Sequence, residues 1–138
     1  MAGETKLEAL LEGMQPDLAS GIFVFATLPH GKAIPPGLDP VLVFREREGR
    51  TLVVLEDEAA AAGLAGTFRC RMITLAIHSS LEAVGFLAAI TARLAEAGMG
   101  VNPVSGFYHD HLFVPAERAE EAFAILQDMA ARRDMTRK

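Results

Sequence analysis

The chain has 138 residues, of which 51% are hydrophobic and 22% are charged, and its formal net charge is −5 at pH 7. This length suits one ordinary domain or two very small ones, with ample apolar surface to bury. Scattered basic residues on an acidic chain argue against a nucleic-acid or anionic-membrane surface. The one cysteine, Cys70, permits no internal disulfide. With neither a secretory signal nor an apolar run of spanning length, we expect a soluble, cytoplasmic protein.

The first 66 residues predict a short helix followed mainly by strands. Leu7, Leu10 and Leu11 have helical spacing, and Pro16 ends that helix. Residues 20–28 are apolar on both faces, so this strand should be central in its sheet. The other elements predicted here are a loop with four prolines at 29–40, a hairpin of strands 41–46 and 51–56, and a short helix at 57–64.

The second half predicts a β-α-β-β-α order. Residues 68–78 alternate as a strand, and Gly98 is placed to end a helix predicted over 80–97. The later elements are strands at 100–108 and 110–115, joined around His109 and Asp110, and a helix at 116–132. Each helix has a single apolar arc. We therefore expect an α+β, ferredoxin-like antiparallel sheet with both helices on one face, and the first half is interpreted as a degenerate copy of it.

The stretch "HSSLEAVGF", residues 78–86, lies where the predicted strand meets the helix. Ser79 and Glu82 have the spacing of a capping box, which would start the helix at Ser80. Free amides and the positive dipole end at a helix N-terminus also suit a ligand carboxylate. Gly85 would let a ligand or another backbone approach closely. Capping alone and capping with ligand binding are both open at this point.

The run from "HSSLEAVGF" to "HLFVP" resembles the ACT domain. The resemblance rests on the Ser-Ser turn, on "VGFLAAIT", on "LAEAGMGVNPVS" at the helix exit and on "FYHDHLFVP" in the hairpin. It is similar above all to the ACT units of small tandem-ACT proteins and of arginine-sensing animal proteins. The predicted division is an N-terminal ACT-like segment, 1–66, and an ACT domain, 67–138.

The resemblance implies a non-catalytic regulatory module that binds an amino acid or a similar small molecule where two ACT units meet. A homodimer is one way to bring such units together. The family's ligand site, carried over to this chain, comprises two segments: His78, Ser79, Ser80, Leu81, Val84, Gly85 and Phe86, and Asn102, Pro103, Val104 and Ser105. Many ACT domains have an acidic residue and a glycine before the helix, where this chain has His-Ser-Ser.

Other chemistries receive less support from the residues. His109 and His111 could share one face of a strand, but no third metal ligand lies nearby in sequence. Arg69 and Arg71 could lower the pKa of Cys70, although a packed core thiol is the better interpretation. No nucleophile elbow or phosphate loop is present. We therefore predict no enzyme, metal or cofactor; the alternatives are a structural interaction module without a ligand and, more distantly, a small His-dependent enzyme.

Overall fold

The computed structural model describes residues 6–77 and 81–136, with side chains as far as residue 131. The elements in chain order are α1 (Leu7–Gly13), β1 (Pro16–Leu18), β2 (Phe23–Leu28), β3 (Leu42–Arg45), β4 (Arg50–Leu55), α2 (Glu56–Ala61), β5 (Thr67–Leu75), α3 (Phe86–Glu96), β6 (Asn102–Ser105), β7 (Asp110–Pro115), a 3₁₀ turn (Ala116–Arg118) and α4 (Ala119–Thr136). They form two compact units, one of residues 20–71 and the other of residues 1–19 with 72–138. None of the helices in the described part is long and apolar enough to cross a membrane.

The inserted unit, residues 20–71, is an antiparallel sheet in the order β3-β4-β2-β5. Strand β2 lies between β4 and β5, which confirms that the strand predicted at 20–28 is interior to its sheet. One face carries Val24, Leu28, Leu52 and Val54, and α2 packs on it through Ala59. The proline-rich segment between β2 and β3 has no helix, but its Ile34 and Leu38 pack against the same face.

The flanking unit, residues 1–19 and 72–138, orders its strands β5-β7-β6, with β1 also paired to β5. Helices α3 and α4 cover one face of this sheet, as the apolar arcs predicted. The two helices share one core with α1 and the strands, contributing Phe86, Ile90 and Leu94 from α3 and Ala119, Ala122 and Leu126 from α4. Leu10 and Leu11 of α1 are fully buried in this core, so the N-terminal helix is part of it.

Two sequence predictions about this unit are wrong in detail. Helix α3 begins at Phe86, and residues 81–85 are a turn rather than helix. The strand predicted at 110–115 is confirmed as β7, but the strand predicted at 100–108 covers only Asn102–Ser105, so the hairpin turn is 106–109 and does not include Asp110. At the other end of α3 the prediction holds: Gly98 has φ 79° and comes directly after the last helical turn.

Candidate functional site

Helix α3 starts without a side-chain cap. Its N-cap is Gly85, whose φ of 91° lies in the left-handed region that favours glycine. The first helical hydrogen bond runs from the Ala89 amide to the Gly85 carbonyl at 2.9 Å. The amides of residues 86–88 therefore precede the intrahelical hydrogen bonds and form the positive end of the helix dipole. Such an end suits a carboxylate.

A buried carboxylate, that of Asp110, lies beside the N-terminus of α3. Asp110 is 7% exposed and is the one buried charged side chain in the described part of the chain. The Ser105 hydroxyl donates a hydrogen bond of 2.6 Å to Asp110 Oδ1 across the β6–β7 pair. Since side chains alternate along a strand, Asp110 lies on the face of Leu112 and Val114, which α3 covers.

These groups line one cavity of ≈ 120 Å³ within the flanking unit. Its described lining residues come from the turn before α3, from the first turn of α3, and from the last residue of β6 and the first of β7. They are Leu81, Ala83, Gly85, Phe86, Leu87, Ala88, Ser105 and Asp110. A helix N-terminus and a buried carboxylate thus line one small cavity. This pairing can receive a molecule with a negative and a positive group a few ångströms apart.

The structure places the predicted ligand residues unequally. Four of them line the cavity together: Leu81, Gly85, Phe86 and Ser105. Val84 lies in the same turn with 83% of its surface exposed, and Asn102, Pro103 and Val104 are on β6 outside the lining. The predicted His78, Ser79 and Ser80 lie outside the described residues.

The capping-box interpretation is wrong for this helix. It needs Glu82 inside the first turn, but Glu82 belongs to the turn that precedes α3. The N-cap is Gly85, whose backbone reaches a conformation that an L side chain rarely adopts. Gly85 therefore shapes the helix start itself and is not a residue of the helix interior.

Asp110 is the site residue that the sequence analysis missed. The alternation of Asp110, Leu112 and Val114 was visible, and it places the carboxylate on the core face of β7. The two flanking histidines instead favoured a turn at this point. The signal that could have identified Asp110 is a charged residue at the alternating strand positions that otherwise carry buried aliphatic residues.

The histidines on either side of Asp110 make structural contacts. His109 Nδ1 lies 3.2 Å from the Ile77 carbonyl, and His111 Nδ1 lies 2.9 Å from Thr74 Oγ1. Burial lowers the pKa of His111, and His109 lowers it further, while Asp110 opposes the shift. Among the described residues there is no group of three or more His, Cys, Asp or Glu side chains that could hold a metal ion.

Cys70 is a buried thiol on β5. Its Sγ lies 3.4 Å from the Phe23 carbonyl, to which it donates. Burial raises the pKa of this thiol to about 12, so the two neighbouring arginines do not activate it. A thiol that stays protonated at neutral pH is a poor nucleophile.

Family models and solved structures match most of the chain. A model of the ACT domain matches residues 2–71, and a second ACT domain model matches residues 67–128. A Vibrio cholerae protein of unknown function, described as a possible transport protein, is 43% identical, with a TM-score of 0.81 over 90% of this chain and 95% of that one. No curated protein matches in sequence.

Two more distant structures are similar in fold. One is a protein from Agrobacterium tumefaciens, at 21% identity and a TM-score of 0.72 over 85% of this chain and 89% of that one. The other is the ligand-free regulatory subunit of aspartate kinase from Thermus thermophilus, at 13% identity and a TM-score of 0.63 over 86% of this chain and 97% of that one. With its two consecutive family matches, this chain belongs to the ACT domain family as a tandem ACT protein.

Proposed function

We propose that this protein is a non-catalytic regulatory protein that binds an amino acid in the α3 cavity, where a second ACT unit covers it. The observation that carries the proposal is the meeting of the α3 N-terminus with the buried carboxylate of Asp110 in one cavity. An amino acid carries a carboxylate and an ammonium group on one carbon atom, which complements both ends of this space. ACT domains are typically regulatory and non-catalytic, which agrees with this role.

Exposed apolar side chains beside the cavity support a covering partner. Leu81 and Val84 are on the β5–α3 turn, and Phe107 and Tyr108 are on the hairpin turn between Ser105 and Asp110. We call these four residues the apolar rim. Large apolar side chains grouped around a cavity mark an interaction surface more often than scattered ones do. A second copy of this chain is the proposed cover.

Thermal-shift screening against the twenty common amino acids tests the proposal. L-Arginine belongs in the panel because of the resemblance to arginine-sensing ACT proteins. A ligand at a hundred times its Kd stabilises the folded protein by about 2.7 kcal/mol. We expect at least one amino acid to raise the Tm, and a panel without any response would contradict the proposal.

A pair of variants on one helix locates the binding. Ala88 lines the cavity, whereas Ala95 lies two helical turns further along α3, and both are exposed. Leucine is a good helix former, so neither substitution should disturb the helix. We expect Ala88→Leu to abolish the thermal response by filling the cavity, and Ala95→Leu to retain it. Equal responses would place the ligand elsewhere.

The apolar rim also supports the second candidate, an interaction module without a ligand. Three of the four rim residues, Val84, Phe107 and Tyr108, are exposed and do not line the cavity, so they could dock a protein without a ligand. Light scattering separates the two candidates. A Val84→Ser, Phe107→Ser double variant that loses self-association, in a protein that responds to no amino acid, would favour the interaction module.

A further inference from the structure

We infer that His109 and His111 bind a divalent transition-metal ion such as Zn²⁺ or Cu²⁺ through their Nε2 atoms. Imidazole nitrogen is a ligand that suits these ions. The two histidines alternate with Asp110 and Leu112 along the chain, so they are on the face of the flanking sheet that α3 and α4 do not cover. Both side chains are half-buried, so solvent reaches them. The site is therefore separate from the α3 cavity, which is on the opposite face.

Hydrogen bonds at the Nδ1 atoms leave the Nε2 atoms available as ligands. His109 Nδ1 lies 3.2 Å from the carbonyl oxygen of Ile77, which can only accept, so Nδ1 carries the proton and Nε2 keeps its lone pair. His111 Nδ1 lies 2.9 Å from Thr74 Oγ1, a hydroxyl oxygen that can accept from Nδ1 in the same way. Metal-binding histidines typically donate their other ring N–H to such a partner, which fixes the tautomer and the orientation of the ring.

The two rings are oriented alike and leave room for an ion. Thr74 is on β5 and Ile77 follows it closely, so both Nδ1 atoms face β5 and both Nε2 atoms face away from it. A Cβ at Gly106 would lie 3.5 Å from His111 Nε2, and the glycine leaves that position open. The ring centroids of His109 and His111 are 6.5 Å apart. Two imidazoles that share a Zn²⁺ at about 2.0–2.1 Å from each nitrogen have ring centres roughly 5–6 Å apart, so a small rotation of the rings brings both nitrogens to one ion.

Two nitrogen ligands make an open site. Structural zinc sites have four protein ligands. No third ligand lies nearby in sequence, and the described residues include no group of three or more His, Cys, Asp or Glu side chains that could hold a metal. Water therefore fills the remaining coordination positions. The ion is a reversible ligand of the folded protein and is not required for folding.

Calorimetric titration of the full-length protein, without a histidine tag, with Zn²⁺ alone tests the site. We expect one ion per chain in the wild type. Glutamine is polar but supplies no imidazole nitrogen, so His109→Gln and His111→Gln should each weaken binding by at least about 100-fold, the upper end of the loss caused by removing a group that only orients a ligand. Thr74→Val keeps the side-chain shape but removes the partner of His111 Nδ1, and it should weaken binding by about 10-fold to 100-fold. The matched control is His30→Gln, an exposed histidine of the inserted unit, which should leave the affinity unchanged.

Electron paramagnetic resonance of the protein with bound Cu²⁺ counts the nitrogen ligands directly. We expect superhyperfine splitting from two imidazole nitrogens in the wild type and in His30→Gln. We expect splitting from one nitrogen in each of His109→Gln and His111→Gln. The loss of a merely structural contact would not change this count.

Three results would overturn the inference: no Zn²⁺ binding to the wild type, wild-type affinity in either His109→Gln or His111→Gln, or an equal loss in His30→Gln. Circular dichroism of the metal-free variants checks that each is folded. If a variant fails to fold, the nitrogen count on the wild-type protein decides alone, with two nitrogens supporting the site and fewer overturning it. These results leave the proposed amino-acid site unaffected, because that site is on the other face of the sheet.

Discussion

The two compact units differ in the segment that comes after their central strand. In the flanking unit, the next element after β5 is α3, an eleven-residue helix that begins just after Gly85. In the inserted unit, β2 leads into the proline-rich segment 29–41, which has no helix. Four prolines explain the difference, because each removes an amide donor and clashes with the preceding helical turn. The same position in the fold is therefore a helix in one unit and, in the other, an irregular segment that covers the sheet; we call this segment, 29–41, the irregular cover.

Specific contacts hold the irregular cover in place. Arg50 of β4 donates from its guanidinium to the carbonyls of Pro29, at 3.3 Å, and Lys32. The Asp39 amide donates to Glu58 Oε1 of α2 at 3.0 Å. These contacts satisfy backbone groups that a helix would pair internally. Ile34 and Leu38 supply the apolar contact with the sheet.

The comparison shows that a segment can cover a sheet without supplying the groups that bind a ligand. A loop with a few apolar side chains covers the sheet of the inserted unit, but it does not align amides at a helix N-terminus. The short helix of that unit, α2, has three acidic residues in its first turn, which would repel a carboxylate. We therefore expect one ligand site per chain, at α3.

The largest expected effect is on the free energy of unfolding, and it compares a core residue of the helix α3 with one of the loop. Ile90 of α3 is fully buried, whereas Leu38 of the loop is partly buried. Ile90→Ala should lower the free energy of unfolding by about 2–5 kcal/mol, since it leaves a cavity in a packed core. Leu38→Ala should cost about 1 kcal/mol. Urea denaturation measures both, and equal costs would show that the loop is as much a core element as the helix.

An intermediate effect is on amino-acid binding, and it compares substitutions of two glycines with positive φ. Gly85 has φ 91° at the start of α3, and Gly37 has φ 93° in the loop. Alanine is strained at either position and should cost about 1 kcal/mol of stability in each variant. Only Gly85 lines the α3 cavity. Calorimetric titration should therefore show weaker amino-acid binding for Gly85→Ala alone, and one ligand per chain in the wild type and in Gly37→Ala.

Two results would contradict this comparison. Two ligands per chain would mean that the inserted unit binds despite the loop. Equal loss of affinity in both glycine variants would mean that strain, and not the position in the cavity, is responsible. Thermal denaturation of the two variants provides the control, because they should lose similar stability.

The smallest expected effect is a pH dependence that belongs to the flanking unit. Because the pKa of His111 is lowered in the folded state, the unfolded chain binds the proton first as the pH falls. Stability should therefore decrease as the pH falls below about 6.5, the ordinary His value. His111→Gln should flatten that decrease, and His109→Gln, which removes a neighbouring positive charge, should reduce it. Urea midpoints between pH 5 and 8 measure the slope, and an unchanged slope in His111→Gln would contradict the assignment.

Most of the fold was predictable from local patterns. Alternation identified β5, with Ile73 and Leu75 buried as expected, and the apolar arcs of α3 and α4 predicted their shared face. The short strand β1 was missed because three residues carry too little periodic signal. The predicted division of the chain at residue 66 stays a prediction.

The start of α3 was not predictable from the same rules. Ser79 and Glu82 have the spacing of a capping box, and the residues after them are good helix formers, so the local signals favoured a start at Ser80. The turn at 81–85 and the left-handed Gly85 override these signals. Leu7 of α1 packs against the same core as Phe86, the first residue of α3. Packing between segments so far apart in sequence cannot be read from either segment alone.

The sequence by itself determined the element types, the family and the segment where a ligand is expected, because periodicity, prolines and glycines act within a few residues along the chain. The tertiary structure decided which side chains share the cavity. Asp110 reaches it only because β7 pairs with β6 in the register that sets Ser105 against Asp110, on the face covered by α3. Strand register depends on distant partners, and a shift by one residue would turn the carboxylate to the opposite face.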